Sequence, residues 1–360
     1  MPDPRANLIL TVDYELFGDG GGDLDAHLVQ PTDRLLRVAR AHGVPVTIFV
    51  ETEEIRFLEA HAAPGSALAA QVERVRAQLR QAVADGHDVQ LHVHPQWMDA
   101  TWNGESARVR EDAWRLGDLD AAAVGRLLGE GKAWLEACVA EARPGHRCDV
   151  FRAGAWCIQP ERDVLATLRR LGFRMESTVA PGLSHPGRLD WYDFADAPTD
   201  RSWWRIDVDV CRPEDGALVE VPIVVARVPR LRGLQAIRHR LRGGGGMGPV
   251  AGGGGLALRA RASALRGFLP RWRRLKLDPC ALPAPVLLVV LRRWLRERDG
   301  AGVTPVVAIL HSKSFSRRSE RELDAFLRWA GEQPNLRAST YAGWWADAGL
   351  PVADQRASGP

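Results

Sequence analysis

Two kinds of hydrophobic pattern alternate along this chain. Short runs of apolar residues, rich in β-branched side chains, predict buried strands, whereas longer segments with apolar residues at every third or fourth position predict amphipathic helices. The predicted strands cover residues 8–12, 44–50, 86–94, 149–151, 173–176, 203–210, 217–225 and 304–310. The predicted helices cover residues 31–42, 51–60, 66–84, 118–142, 160–171, 284–298, 320–331 and 341–348.

The order of these elements indicates the fold class. Over residues 8–94 the order β-α-β-α-β is typical of an α/β protein with a parallel sheet or barrel. The 360 residues, 46% of them hydrophobic, suffice for one large domain or two smaller ones. Residues 227–280 break the pattern with many arginines and two glycine runs, and we interpret them as a low-complexity insertion. A basic patch for phosphate-bearing ligands is the alternative interpretation. Residues 351–360 are predicted to form a disordered tail.

Composition narrows the function classes. The net charge of +3 is too small to indicate a nucleic-acid partner. The five cysteines are scattered and lack a CxxC spacing, which is typical of reduced thiols in a cytoplasmic protein. The apolar runs at residues 8–12 and 286–291 are too short for a signal-peptide core or a membrane span. We therefore expect a soluble cytoplasmic protein without a transmembrane segment.

A His-x-His pair closes the third predicted strand. Residues two apart in a strand point to the same face, so His92 and His94 project together, as two nitrogen ligands of one metal ion must. Pro95 ends the strand because it cannot donate to a sheet ladder. Two unrelated histidines at a strand end are the alternative.

Other polar residues also follow predicted strands. Asp13 and Glu15 come after the first strand with the same spacing of two, and a buried pair of carboxylates needs a cation or hydrogen bonds. A solvated loop start is the alternative for this pair. Arg152 and His311 follow two later strands. Because active sites of α/β barrels form where the C-terminal ends of the strands meet, we expect all these groups in one site.

Four stretches carry a family resemblance. Residues 10–15 (LTVDYE), 86–94 (GHDVQLHVH), 151–156 (FRAGAW) and 309–312 (ILHS) resemble, in order and spacing, the motifs of the polysaccharide deacetylase superfamily, carbohydrate esterase family 4 in type. The resemblance spans nearly the whole chain and is that of a divergent branch. It implies an irregular (β/α)7-type barrel, a distorted variant of the TIM barrel, formed as a single domain by residues 1–350.

The resemblance also implies catalytic roles. Asp13 matches the catalytic base, Arg152 matches the residue that pairs with this base, and His311 matches the general acid. The aspartate that commonly tunes the acid histidine has no clear equivalent in this sequence. Asp193 and Asp207 are the candidates for that position.

A divalent metal ion is the implied cofactor. Glu15, His92 and His94 are its expected ligands. The sequence departs from the family pattern twice, since Tyr14 separates the two acids and Gln96 stands where the second histidine usually lies. His94 is the nearest substitute for that histidine. Zn²⁺ suits this ligand set, and Co²⁺, Fe²⁺ or Ni²⁺ would bind similar ligands.

The implied reaction is removal of an N-acetyl or similar acyl group from an amino sugar or glycan intermediate. Trp97, Trp156 and Tyr14 are the expected substrate contacts, and the tryptophans of the loop after His94, such as Trp102, hint at a sugar. Two alternatives stay open. The same site could cleave another C–N amide bond of a small molecule, or the barrel could bind a glycan or a partner without catalysis.

Overall fold

The computed structural model describes residues 6–188, 190–229, 232, 235, 272–298 and 302–351. The strands are β1 (Ala6–Tyr14), β2 (Val46–Glu51), β3 (Asp88–Val93), β4 (Thr101–Trp102), β5 (Ala107–Arg108), β6 (Val150–Ala153), β7 (Met175–Glu176), β8 (Ser184–Pro186), β9 (Trp191–Asp193), β10 (Trp204–Ile206), β11 (Leu218–Glu220), β12 (Val225–Pro229), β13 (Trp272–Lys276), β14 (Thr304–His311) and β15 (Leu336–Ala338). The helices are α1 (Gln30–Ala41), α2 (Thr52–His61), α3 (Ala67–Ala84), α4 (Ala121–Val139), α5 (Arg162–Arg170), α6 (Ala284–Glu297), α7 (Arg317–Gly331) and α8 (Tyr341–Asp347).

The central sheet curls into an irregular barrel. Its parallel strands follow the order β14-β1-β2-β3-β6-β7-β11, and β10 adds to β11 in the antiparallel direction. The chain just after β11 returns to β14, where Ile223 bridges Val307 in parallel and Val224 N–H donates to Val307 O at 3.1 Å. Closure through this short bridge makes the barrel irregular. The predicted (β/α)7-type fold is thereby confirmed.

Strand β1 shows why the sequence forms this barrel. It is buried over its whole length because helices cover its outer face and the barrel interior covers the other. Leu8, Leu10 and Val12 belong to the core between barrel and helices. Ile9 belongs to a second buried cluster, which also contains Phe49 and Ile309. The period of two therefore places Thr11 and Asp13 on the same face as Ile9.

Helix α3 illustrates how the outer layer is built. Its buried residues include Val72, Val75, Leu79 and Val83, the helical spacing read from the sequence. Ser66 begins the helix, since its side chain accepts a hydrogen bond from Ala69 N–H at 3.1 Å.

Several loops carry short additions. The predicted loop after β3 contains the β4–β5 hairpin, and the loop after β7 contains the β8–β9 hairpin. Strands β12 and β13 pair antiparallel at the two ends of the predicted arginine- and glycine-rich insertion. Nearly all of that insertion, and the predicted tail beyond residue 351, lie outside the described residues. All five cysteine side chains are buried free thiols. Within the described ranges, no helix is both long and apolar enough to cross a membrane.

Candidate active site

Strand register brings the predicted site residues to one end of the barrel. Asp13 lies opposite His311 in the β1–β14 pair. His92 lies opposite Glu51 on one side and Arg152 on the other. All five residues lie at or near the C-terminal ends of parallel strands, which is where α/β barrels build their sites.

Glu15, His92 and His94 form a buried cluster suited to a metal ion. One nitrogen or oxygen of each residue lies within 4.8 Å of the other two. His92 Nε2 and His94 Nε2 each lie 3.2 Å from the same carboxylate oxygen, Glu15 Oε2. Two imidazoles and one carboxylate are a common ligand set for zinc and related divalent metals.

The Nδ1 atoms of the two histidines face a backbone carbonyl and a carboxyl group. His92 Nδ1–H donates to Arg152 O at 2.9 Å, and because a carbonyl only accepts, the unprotonated nitrogen of neutral His92 is Nε2. His94 Nδ1 lies 2.6 Å from Glu51 Oε2. Acceptors on the outer nitrogens orient metal-bound histidines in many proteins.

Electrostatics keeps Glu15 ionised and His94 neutral at neutral pH. Burial lowers the pKa of His94, although Glu15 acts to raise it. Burial would raise the pKa of Glu15, but Lys313, His94 and His92 together outweigh it and hold this pKa well below its usual value. Burial raises the pKa of Glu51 well above its usual value, so the Glu51–His94 pair has two proton arrangements. A cation at His94 Nε2 selects the arrangement in which Glu51 accepts the hydrogen bond.

The residues present therefore fit a divalent cation. The lone pairs of His92 Nε2 and, in that arrangement, His94 Nε2 point at a carboxylate oxygen, and three acceptors this close repel one another unless a cation or proton lies among them.

Asp13 is held by a fully buried arginine. Arg152 donates from Nη1 to Asp13 Oδ1 at 2.7 Å and to Thr11 Oγ1 at 2.9 Å, and from Nε to Ser177 O at 2.9 Å. Its guanidinium also stacks over the Phe49 ring, 4.1 Å from the centroid. Burial would raise the pKa of Asp13, but Arg152, His92 and His311 together outweigh it and the pKa lies below its usual value.

His311 faces both acids from the end of β14. Its Nε2 lies 3.6 Å from Asp13 Oδ2 and 3.9 Å from Glu15 Oε1. Burial lowers the pKa of His311, and among the groups that act to raise it is Asp278. Asp13 and Glu15 contribute more to this effect than Asp278, which is buried just before α6 and accepts from Cys280 N–H at 2.9 Å.

The two aspartates proposed as partners of the acid histidine lie elsewhere. Asp193 and Asp207 are both exposed. Asp193 accepts from the N–H of Ala195 at 3.0 Å, and Asp207 pairs with Arg169 at 2.8 Å. Neither position was marked by a pattern, and the structure corrects both.

The candidate active site opens into a cavity of about 180 Å³. Its floor carries Asp13, Glu15, His94, His311 and Lys313, and its walls include Trp114, Trp156 and Tyr192. Trp156 and Tyr192 meet edge to face with ring centroids 5.5 Å apart.

The turn after β6 shapes the wall of this cavity. Ala155 and Trp156 have φ angles of 49° and 60°, a left-handed conformation that costs energy for residues other than glycine. Gly154 precedes them, and a Cβ atom there would overlap the His94 ring. Position 154 therefore requires glycine, because the backbone there passes too close to the His94 ring for any side chain.

Two predicted substrate contacts do not line the cavity. Tyr14 is buried on the helix-facing side of β1, where its hydroxyl donates to Gln78 Oε1 at 2.9 Å, because it alternates with Asp13 along the strand. Trp97 is buried in a turn after β3 and its ring packs against Phe57 with centroids 5.6 Å apart. Trp156 does line the cavity, as expected.

The Gln96 amide contacts the loop after β1. Its Nε2 donates to Gly18 O at 2.8 Å, which holds the loop after β1. His94, by contrast, lies in the buried cluster with Glu15 and His92.

Comparison with known proteins was made by sequence and by structure. No protein-family model matches the chain, and no curated protein sequence matches it. Similar solved structures include a putative polysaccharide deacetylase from Mycobacterium smegmatis, with 15% identity, a TM-score of 0.47 and coverage of 95% of this chain and 90% of the other. A probable polysaccharide deacetylase from Pseudomonas aeruginosa has 14% identity, a TM-score of 0.48 and coverage of 96% and 92%. The allantoinase PuuE has 12% identity, a TM-score of 0.46 and coverage of 95% and 91%. Likeness at these identities and scores says nothing about function, which has to come from the site.

Proposed function

We propose that this protein is a metal-dependent hydrolase that removes an acetyl or similar acyl group from the nitrogen of an amino sugar. The observation that carries the proposal is the shared cavity, where a buried Glu15–His92–His94 cluster lies beside an arginine-held Asp13 and His311. These are the three parts that amide hydrolysis needs, namely a metal site, a base and an acid.

Glu15, His92 and His94 would hold the metal ion. A bound divalent metal supplies Lewis acidity, which makes water a better nucleophile and an acyl carbonyl a better electrophile. Zn²⁺ is the ion that this ligand set suits best, and Co²⁺, Fe²⁺ and Ni²⁺ are the alternatives.

Asp13 takes the proton of the attacking water. Arg152 occupies its Oδ1, so Oδ2 is the oxygen that remains for the substrate side of the cavity. The lowered pKa keeps Asp13 ionised and ready to accept at neutral pH. Arg152 acts through Asp13 and is a positioning residue.

His311 protonates the departing nitrogen. It lies across from Asp13, with 3.6 Å between His311 Nε2 and Asp13 Oδ2, so a substrate amide in the cavity can contact both groups. We assign the developing oxyanion to a backbone N–H of Ala155 or Trp156, whose strained turn presents the chain to the cavity wall.

The aromatic wall supports a sugar substrate. Trp114, Trp156 and Tyr192 line the cavity beside the polar floor, and aromatic rings next to polar groups are the combination that sugar rings bind.

The test is acetate release from N-acetylglucosamine and its short oligomers by the Zn²⁺- or Co²⁺-loaded protein. We expect turnover by the native protein, and a loss of roughly 10²–10⁴-fold in Asp13→Asn and His311→Gln. Asp324→Asn, which changes a carboxylate on helix α7, is the matched control and should keep full activity.

Other outcomes would redirect the assignment. Hydrolysis of cyclic or formylated amides without acetate release would keep the site but change the substrate. Absence of hydrolysis on all these compounds by a metal-loaded protein would favour a binding role.

A further inference from the structure

Lysine is rare in this chain. The sequence holds three lysines, Lys132, Lys276 and Lys313, against 45 arginines. Two of the three lie at the candidate active site. Lys313 lines the cavity, and the Lys276 ammonium lies 3.8 Å from the centroid of the Trp156 ring.

Lys313 ties together the ends of two strands. It lies in the turn Ser312–Ser314 directly after β14, and its side chain is 9% exposed. Its Nζ donates to Leu16 O at 2.6 Å and lies 3.0 Å from Glu15 Oε1. Ser312 Oγ donates to Asp13 O at 3.4 Å, which holds the same turn against β1.

The two oxygens of Glu15 consequently have different partners. Oε1 faces the Lys313 ammonium at 3.0 Å, whereas Oε2 faces His92 Nε2 and His94 Nε2 at 3.2 Å each. A carboxylate can bind a metal ion through one oxygen or through both. An ammonium group on one oxygen favours ligation through the other alone.

We propose that Lys313 is a positioning residue that restricts Glu15 to metal ligation through Oε2. The restriction keeps one more position around the metal open for water or substrate, which a catalytic site requires. This inference rests on the proposed metal site, and it concerns Lys313, to which the four sequence motifs assign no role.

The proposal separates two effects of the lysine. Its charge repels a divalent cation nearby, so its removal should leave metal affinity unchanged or higher. Its hydrogen bond fixes the Glu15 carboxylate, so its removal should free Oε1 for the metal. A residue needed only for folding would do the opposite, since its loss would loosen the ligands and weaken binding.

The test compares the visible absorption of the Co²⁺-loaded protein with that of Lys313→Met. The intensity of the Co²⁺ bands falls as coordination number rises, so we expect weaker bands in Lys313→Met, with Co²⁺ affinity equal or higher in a chelator competition. Lys132→Met is the matched control, because Lys132 also pairs with a carboxylate, Glu136 at 2.7 Å, but on helix α4. Its spectrum should equal that of the native protein.

Each outcome has a distinct meaning. Unchanged band intensity in Lys313→Met overturns the inference and leaves the proposed function standing. Failure of native protein and Lys132→Met to take up Co²⁺ overturns both. Should Lys313→Met not fold, X-ray absorption of the Co²⁺-loaded native protein decides, since the distance from metal to carboxyl carbon distinguishes one-oxygen from two-oxygen ligation. Two-oxygen ligation by Glu15 in the native protein would refute the inference.

Discussion

Replacement of Arg152 by methionine tests how the base is held. The arginine is fully buried, and its removal leaves the Asp13 carboxylate without its cation and Ser177 O without its donor. Breaking a buried ion pair by removal of one partner destabilises a protein by about 3–5 kcal/mol. We therefore expect Arg152→Met to lower the free energy of unfolding by about that amount at neutral pH.

The amount by which Arg152→Met lowers the free energy of unfolding should depend on pH. In the native protein the pKa of Asp13 is lowered on folding, so this group adds stability above its unfolded pKa and loses it as the pH falls through the folded pKa. Without Arg152, burial acts unopposed by the guanidinium and the pKa of Asp13 rises. The free energy of unfolding of Arg152→Met should thus fall further below that of the native protein at neutral pH than at about pH 4.

The assay is urea unfolding followed by tryptophan fluorescence, with excess chelator so that metal binding does not contribute. Asp13→Asn and the double variant complete a double-mutant cycle, and we expect a coupling energy above about 1 kcal/mol between the two residues. The reasoning would be refuted if Arg152→Met lowered the free energy of unfolding by less than about 1 kcal/mol. It would also be refuted if the effects of Arg152→Met and Asp13→Asn on that free energy were additive.

Three further predictions follow from the buried acids. Glu51→Gln should weaken metal binding by about 10–100-fold in a chelator competition, because it loosens the His94 ring; unchanged affinity would contradict this role. Asp278→Asn should lower the pKa of His311 only slightly and move the basic limb of the kcat/KM profile a little to lower pH, because Asp13 and Glu15 act on this pKa more strongly; a large shift would contradict that order of effects. Burial raises the pKa of Glu220 well above its usual value, so this carboxyl favours folding at low pH and loses that contribution as the pH rises through its folded pKa. Glu220→Gln should therefore gain stability relative to the native protein as the pH rises, and a constant difference in urea unfolding across pH would contradict it.

The sequence predicted those parts of the site that depend on local periodicity. The spacing of two predicted that His92 and His94 would project together, and both approach Glu15 Oε2. The same rule, applied to Tyr14, predicts a residue on the opposite face of β1 from Asp13. The expectation of a substrate contact there was wrong for that reason.

Residues that act across the barrel could not be found in this way. Glu51 meets His94 only because β2 and β3 pair in one register, and Lys313 meets Glu15 only because β14 lies beside β1. Such neighbours are separated by many residues, so no local pattern marks them. Trp97 was misjudged because the turn after β3 directs its ring to Phe57 rather than to the cavity.

Metal content tests the central claim most directly. Elemental mass spectrometry of the acid-digested native protein should give about one divalent metal ion per chain, and His92→Ala should lose it. His42→Ala, which removes a histidine paired with Asp324 on the surface at 2.9 Å, should retain the metal. Absence of metal in the native protein, together with no uptake of added Zn²⁺ or Co²⁺, would contradict the account.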